Sequence, residues 1–118
     1  MEGEYAIKGL FWRREDRFFR DNEHYPFVGD VIIRADGKIE GETKDEFGEA
    51  DINGEIKEGL LTFKKRYRPG SSGARYPIHY TLTTRDTLGG GWLGTCLVPQ
   101  DDGTNDVPWQ TACLMFPR

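Results

Sequence analysis

Lys65 is the chief polar anomaly of the chain. Leu61, Phe63 and Tyr67 recur at every second position, so on an extended strand they share one face, and Lys65 falls on that face between the two aromatics. A lysine so placed has two uses. Its stem can cover the core while the ammonium reaches the open end of the fold or a structural carboxylate. Alternatively, the ammonium meets the polar end of a bound molecule while Phe63, Tyr67, Tyr80 and Trp92 wall the apolar part. A buried ammonium without a partner tends to lose its proton, so an anionic group or a nearby ring face would help it keep the charge. These five residues are the candidate ligand-binding set.

The other chemistry-bearing residues form weaker patterns. His24 and His79 are the only histidines, and no short ligand spacing joins them into a metal site. His79 alternates with threonines on a face expected to be solvated, and no serine or cysteine stands in a nucleophile motif. Glu40, Glu42, Asp45, Glu46, Glu49, Asp51 and Glu55 crowd the middle of the chain. Paired carboxylates can divide acid and base roles, but at even spacing along strands these read as the solvated exterior of a sheet. Asp101, Asp102, Asn105 and Asp106 offer oxygen ligands, yet the glycine is misplaced for a calcium loop and no glutamate closes it. The glycines at 89–91 lack the following Lys-Ser or Lys-Thr of a phosphate loop. Lys64, Lys65, Arg66 and Arg68 are basic, but on a strand they point to opposite sides and make no continuous patch for single-stranded nucleic acid. No catalytic residue, metal site or cofactor is expected, and the chain reads as a non-enzyme.

Composition agrees with a small β domain. The 118 residues suffice for one core without obligatory staples, and aromatics at 13% supply much of the buryable area. Such rings fit a pleated surface, and 15 glycines with 6 prolines mark many turns. The formal net charge of −4 gives no global positive field for a phosphate backbone, so nucleic acid is not an expected partner. No apolar run reaches the length of a membrane span and residues 1–20 carry no signal-like core, so a soluble, cytoplasmic protein is expected, without a membrane partner. Cys96 and Cys113 are compatible with one bridge or two thiols, and the absence of secretory features favours buried thiols.

Period-two alternation predicts about eight strands, over 5–12, 27–34, 38–43, 48–57, 60–67, 76–83, 89–98 and 109–116. The charged and aromatic segment 13–21 reads as a loop or one helical turn, with Phe18 or Phe19 turned inward. Asp36-Gly37 predicts a hairpin through a type I′ turn, Glu58-Gly59 makes another turn, and 69–73 and 99–108 are loops. With no βαβ spacing, a closed barrel or a two-sheet sandwich is the economical all-β architecture; closure removes both edges, so the expectation is a single domain over 1–118, an antiparallel up-and-down meander closed into a barrel.

The order Phe27-x-Gly29, Asp36-Gly37-x-Ile39-x-Gly41, Phe47-Gly48-x-Ala50-x-Ile52-x-Gly54, Phe63-x-Lys65-x-Tyr67, Ile78-x-Tyr80 and Gly91-Trp92-x-Gly94 resembles small lipocalin-like proteins of the calycin type, over about residues 27–98. The resemblance implies an up-and-down barrel able to hold a small apolar ligand. Binding of a small apolar or amphiphilic molecule inside the barrel is therefore the leading expectation. The alternative is a non-catalytic interaction domain or homo-oligomer that uses an exposed aromatic patch around Trp12, Trp109 and Phe116.

Overall fold

The computed structural model of the chain describes residues 2–13, 24–85, 91–99 and 107–118. Eight antiparallel strands form a closed barrel in simple sequence order: β1 (Gly3–Arg13), β2 (His24–Ile33), β3 (Lys38–Asp45), β4 (Gly48–Lys57), β5 (Leu60–Tyr67), β6 (Ile78–Arg85), β7 (Gly91–Val98) and β8 (Val107–Pro117). Each strand pairs with its neighbours in the chain, and β8 pairs with β1 to close the cylinder. Closure leaves no unpaired edge. No described helix is long and apolar enough to cross a membrane.

The expected alternation decides which side chains fill the barrel. Ile7 and Phe11 on β1, Phe27, Val31 and Ile33 on β2, Ala50 and Ile52 on β4, and Leu61, Phe63 and Tyr67 on β5 all point inward and are buried. Ile78, Tyr80 and Leu82 of β6 complete the wall with Trp92 and Cys96 of β7. The strands run longer than the alternation marks at both ends of the chain, because ladder pairing carries β1 from Gly3 to Arg13 and β8 to Pro117. β6 starts at Ile78, not at Tyr76, which lies exposed in the preceding loop. The expectations for 14–21, for the glycines at 89 and 90 and for 100–106 lie outside the described residues.

The hairpin at Asp36-Gly37 exists, but its turn differs from the expected type I′. Gly37 N–H donates to the Arg34 carbonyl at 2.9 Å and Arg34 N–H to the Lys38 carbonyl at 2.8 Å. Only Gly37 of this turn has positive φ, 89°, so the loop is a type I turn closed by a left-handed glycine that forms a bulge. The mirror-image turn occurs at Glu58-Gly59 instead. Both have positive φ, 52° and 78°, between the paired residues Lys57 and Leu60.

Two inward glycines show how tightly the sheet coils. A Cβ on Gly29 would lie 2.1 Å from the Glu42 carbonyl oxygen, and one on Gly41 would lie 2.0 Å from that of Asp30. Neighbouring backbone occupies the place of a side chain, so only glycine lets β2 and β3 bend past each other here.

The barrel has two unlike ends. One carries the tight turns at 34–37 and 58–59 and the beginning of β1. At the other lie the connections β1–β2, β3–β4, β5–β6 and β7–β8, and there the candidate residues converge.

Candidate functional site

Asp45 ends β3, and counting back in twos reaches Thr43, Gly41 and Ile39, so its carboxylate enters the barrel. This corrects the expectation that all the central acids are solvated: the Asp45 side chain is 0% exposed. Its Oδ1 accepts the Phe47 N–H at 2.9 Å. Its Oδ2 accepts Lys65 Nζ and the Tyr67 hydroxyl, each at 2.6 Å. Lys65 and Tyr67 belong to β5, so the bridge spans β4. It crosses at Ala50, which pairs with Thr43 on one side and Tyr67 on the other, and the small side chain leaves room for it.

Lys65 is 1% exposed. Its ammonium lies 4.7 Å from the centroid of Phe11, 4.8 Å from Tyr67, 5.4 Å from Phe27 and 5.9 Å from Tyr80. Burial pulls the lysine below its ordinary pKa, while the charge and hydrogen bond of Asp45 oppose that shift. Burial and the hydrogen bond to Asp45 push the Tyr67 phenol far up, so it stays a neutral donor. The ion pair and the phenol therefore form a self-satisfied polar floor, charge-assisted at every contact.

Above the floor stands a cluster of rings. Phe11 stacks on Tyr25 at 5.2 Å and meets Trp109 at 5.8 Å and Phe47 at 6.4 Å. Tyr25 in turn lies 5.1 Å from Phe47 and 5.7 Å from Trp109. Phe11 is buried, whereas Tyr25, Phe47 and Trp109 are half-buried and form the rim. The β5–β6 loop straps one side of this mouth. Ser72 N–H donates to the Phe47 carbonyl at 2.8 Å, and Gly73 lies flat on the Tyr67 ring, where a Cβ would approach Cδ2 to 2.3 Å.

All five candidate residues point into the barrel, and four of them are contiguous. Phe63 stacks on Tyr80 at 4.3 Å, beside Lys65 and Tyr67. Trp92 is buried toward the other end, four residues along β7 from Cys96, which faces Tyr80; that is about 13 Å of strand. The ammonium meets the structural carboxylate foreseen for it. Asp45, Phe11, Tyr25 and Phe47 were missed, although parity alone turns Asp45 inward once Ile39 does. Trp109 was expected on an outer patch, but it shares the inward face of β8 with Thr111 and Cys113, opposite in parity to Phe116.

The remaining groups do not join the site. His24 and His79 are exposed on the outer face. Among the described residues no three His, Cys, Asp or Glu side chains group as a metal would need. Cys96 faces Trp109 and Cys113 faces Trp92, about 13 Å apart along the ladder, so both are buried free thiols too distant to bridge. Burial pushes each thiol up to about 12, and Cys96 shares a hydrogen bond with Tyr80.

Comparison with known protein families, curated proteins and solved structures returns no match.

Proposed function

We propose that the protein binds a small, largely apolar or amphiphilic molecule at the aromatic mouth of its lipocalin-like barrel. The observation that carries this reading is the convergence of Phe11, Tyr25, Phe47 and Trp109, three of them half-buried, over a polar floor at the end that carries the β3–β4 turn and the β5–β6 loop. Sites for such ligands are apolar and aromatic with few polar groups. The floor also refines the ligand chemistry. Lys65 is already neutralised by Asp45 at 2.6 Å, so the site needs no anion, and a neutral planar molecule that slides among rings suits it better than a fatty acid.

Titration with a neutral naphthylamine dye that fluoresces in apolar surroundings tests the reading. Trp109→Ala or Phe47→Ala should weaken dye binding about tenfold, the worth of one well-placed ring. Trp12→Ala, on the outer face, should leave binding unchanged. No dye binding by the parent protein, or equal loss in all three variants, would refute the site.

A further inference from the structure

Seating an apolar molecule at the mouth makes no use of the nucleophile beneath it. Lys65 Nζ lies 4.7 Å from the centroid of Phe11, the ring on which Tyr25, Phe47 and Trp109 of the rim converge, so the amine sits one ring below the opening. Tyr67, Phe27 and Tyr80 turn further ring faces toward it. Such desolvation turns a lysine from a hydrated cation into a nucleophile, and burial already pulls Lys65 below its ordinary pKa. Asp45 Oδ2, at 2.6 Å, is both an acceptor for its proton and its counter-ion. The Tyr67 hydroxyl, donating to the same oxygen at 2.6 Å, keeps that oxygen in place. Beside this bridge stands a second polar group. Thr43 pairs with Ala50, the residue the bridge crosses, and its Oγ1 is buried with no hydrogen-bond partner among the described residues. A buried hydroxyl left unpaired costs stability, and its presence points to a polar atom that arrives with a ligand.

We propose that Lys65 is a covalent anchor, its amine condensing with a neutral, planar aromatic aldehyde seated at the mouth to form an imine. The inference rests on the binding site proposed above and names the chemical class of its ligand. Charge decides that class. The Asp45 side chain is 0% exposed, so a reaction that erased the charge on Lys65 would strand the carboxylate, which disfavours acylation by an ester or anhydride. Imine formation preserves the charge. Asp45 takes one ammonium proton, the free amine adds to the carbonyl carbon, and a second proton passes from nitrogen to the former carbonyl oxygen. Asp45 then returns its proton to that hydroxyl, and water leaves as the C–O bond breaks. The product is a protonated imine whose remaining N–H still faces Asp45. One cation and one anion stand at the start and at the end, and the ring faces that surround the ammonium also suit the iminium. Thr43 supplies the hydrogen bond for the oxygen that is expelled. The aromatic part of the aldehyde lies against Phe11 and the rim.

Incubating the full chain with naphthaldehyde, trapping the imine with cyanoborohydride and locating the adduct by peptide mass mapping tests the proposal. Lys65 should acquire the naphthylmethyl group roughly tenfold faster than the exposed Lys8, Lys44 and Lys64. A saturating excess of the neutral naphthylamine dye should block Lys65 and leave the exposed lysines as reactive as before. Thr43→Val keeps the shape and removes the hydroxyl, so it should slow the adduct about tenfold at unchanged dye affinity and raise the urea midpoint of the ligand-free protein. Naphthaldehyde that displaces the dye yet leaves Lys65 unmodified, or labels it no faster than the exposed lysines, would overturn the anchor and leave the binding site standing. Equal labelling of the parent and Thr43→Val would also count against it. Failure of both dye and aldehyde to bind would remove the site, and the anchor with it.

Discussion

A buried carboxylate is tolerated only when its lone pairs are occupied, and Asp45 achieves this with three donors, two from β5 and one from the turn that follows β3. Removing one donor leaves a charge with no solvent to replace it. Lys65→Met keeps the stem and deletes the ammonium, so it should destabilise the barrel by roughly 3–5 kcal/mol in urea unfolding, well beyond any change in ligand affinity. Asp45→Asn in the same chain removes the stranded charge and should return a large part of that loss. A Lys65→Met protein of parental stability would show that the pair does not hold the mouth together. At this scale half of the arrangement is legible in the amino-acid order. Lys65 stands out because it interrupts an apolar face, whereas Asp45 hides among six other central acids. Only the parity of β3 distinguishes it, and the pairing of two successive hairpins that lays Thr43 and Tyr67 on either side of Ala50 is a property of the assembled sheet.

The strands were readable where two signals coincide. β4 and β5 match to the residue, because alternation runs up to a Glu-Gly pair that both ends one strand and starts the next. Elsewhere pairing extends the ladder beyond the residues whose side chains alternate, as in β1 and β8. Turn chemistry was less legible. Asp-Gly and Glu-Gly look interchangeable on paper, yet the loop joining β2 and β3 has room for a type I turn with a glycine bulge, while the two-residue loop joining β4 and β5 requires the mirror-image form. The inward glycines carry the coiling of the sheet, which no periodicity reveals. Gly29→Ala places a methyl 2.1 Å from a backbone carbonyl and should lower the stability by roughly 2 kcal/mol or more, with Lys44→Ala on the outside changing it by less than about 0.5. Equal denaturation midpoints for the two variants would show that β2 can relax away from β3.

For the whole molecule, the closed barrel buries protons as well as rings. Burial raises Cys96 and Cys113 to about 12 from an ordinary 9 and pushes the Tyr67 and Tyr80 phenols upward as well. The unfolded chain releases these protons first. Stability from the four groups is therefore whole below pH 9 and drains away as the pH climbs toward 12. Lys65 has the opposite sign, since its lowered pKa makes the folded state release a proton first, so its penalty shrinks as the pH nears the ordinary lysine value. Four groups outweigh one. The thermal midpoint should fall steadily across pH 9–12, and a flat profile would mean that the thiols and phenols reach water. The same burial predicts that neither thiol alkylates until the protein unfolds, with no reductant required.

The mouth is the part of this molecule on which the proposed function rests, and the three tryptophans report on it separately. Trp109 stands in the rim, Trp92 is 2% exposed toward the opposite end, and Trp12 lies on the outer face with its indole N–H donating to Gln110 at 3.0 Å. A two-dimensional proton–nitrogen spectrum resolves the three indole signals, each assignable by a single Trp→Phe change. Adding the neutral naphthylamine dye should move the Trp109 signal and leave Trp12 and Trp92 in place. A spectrum that does not change, or one in which Trp12 alone responds, would contradict a binding site at the aromatic mouth.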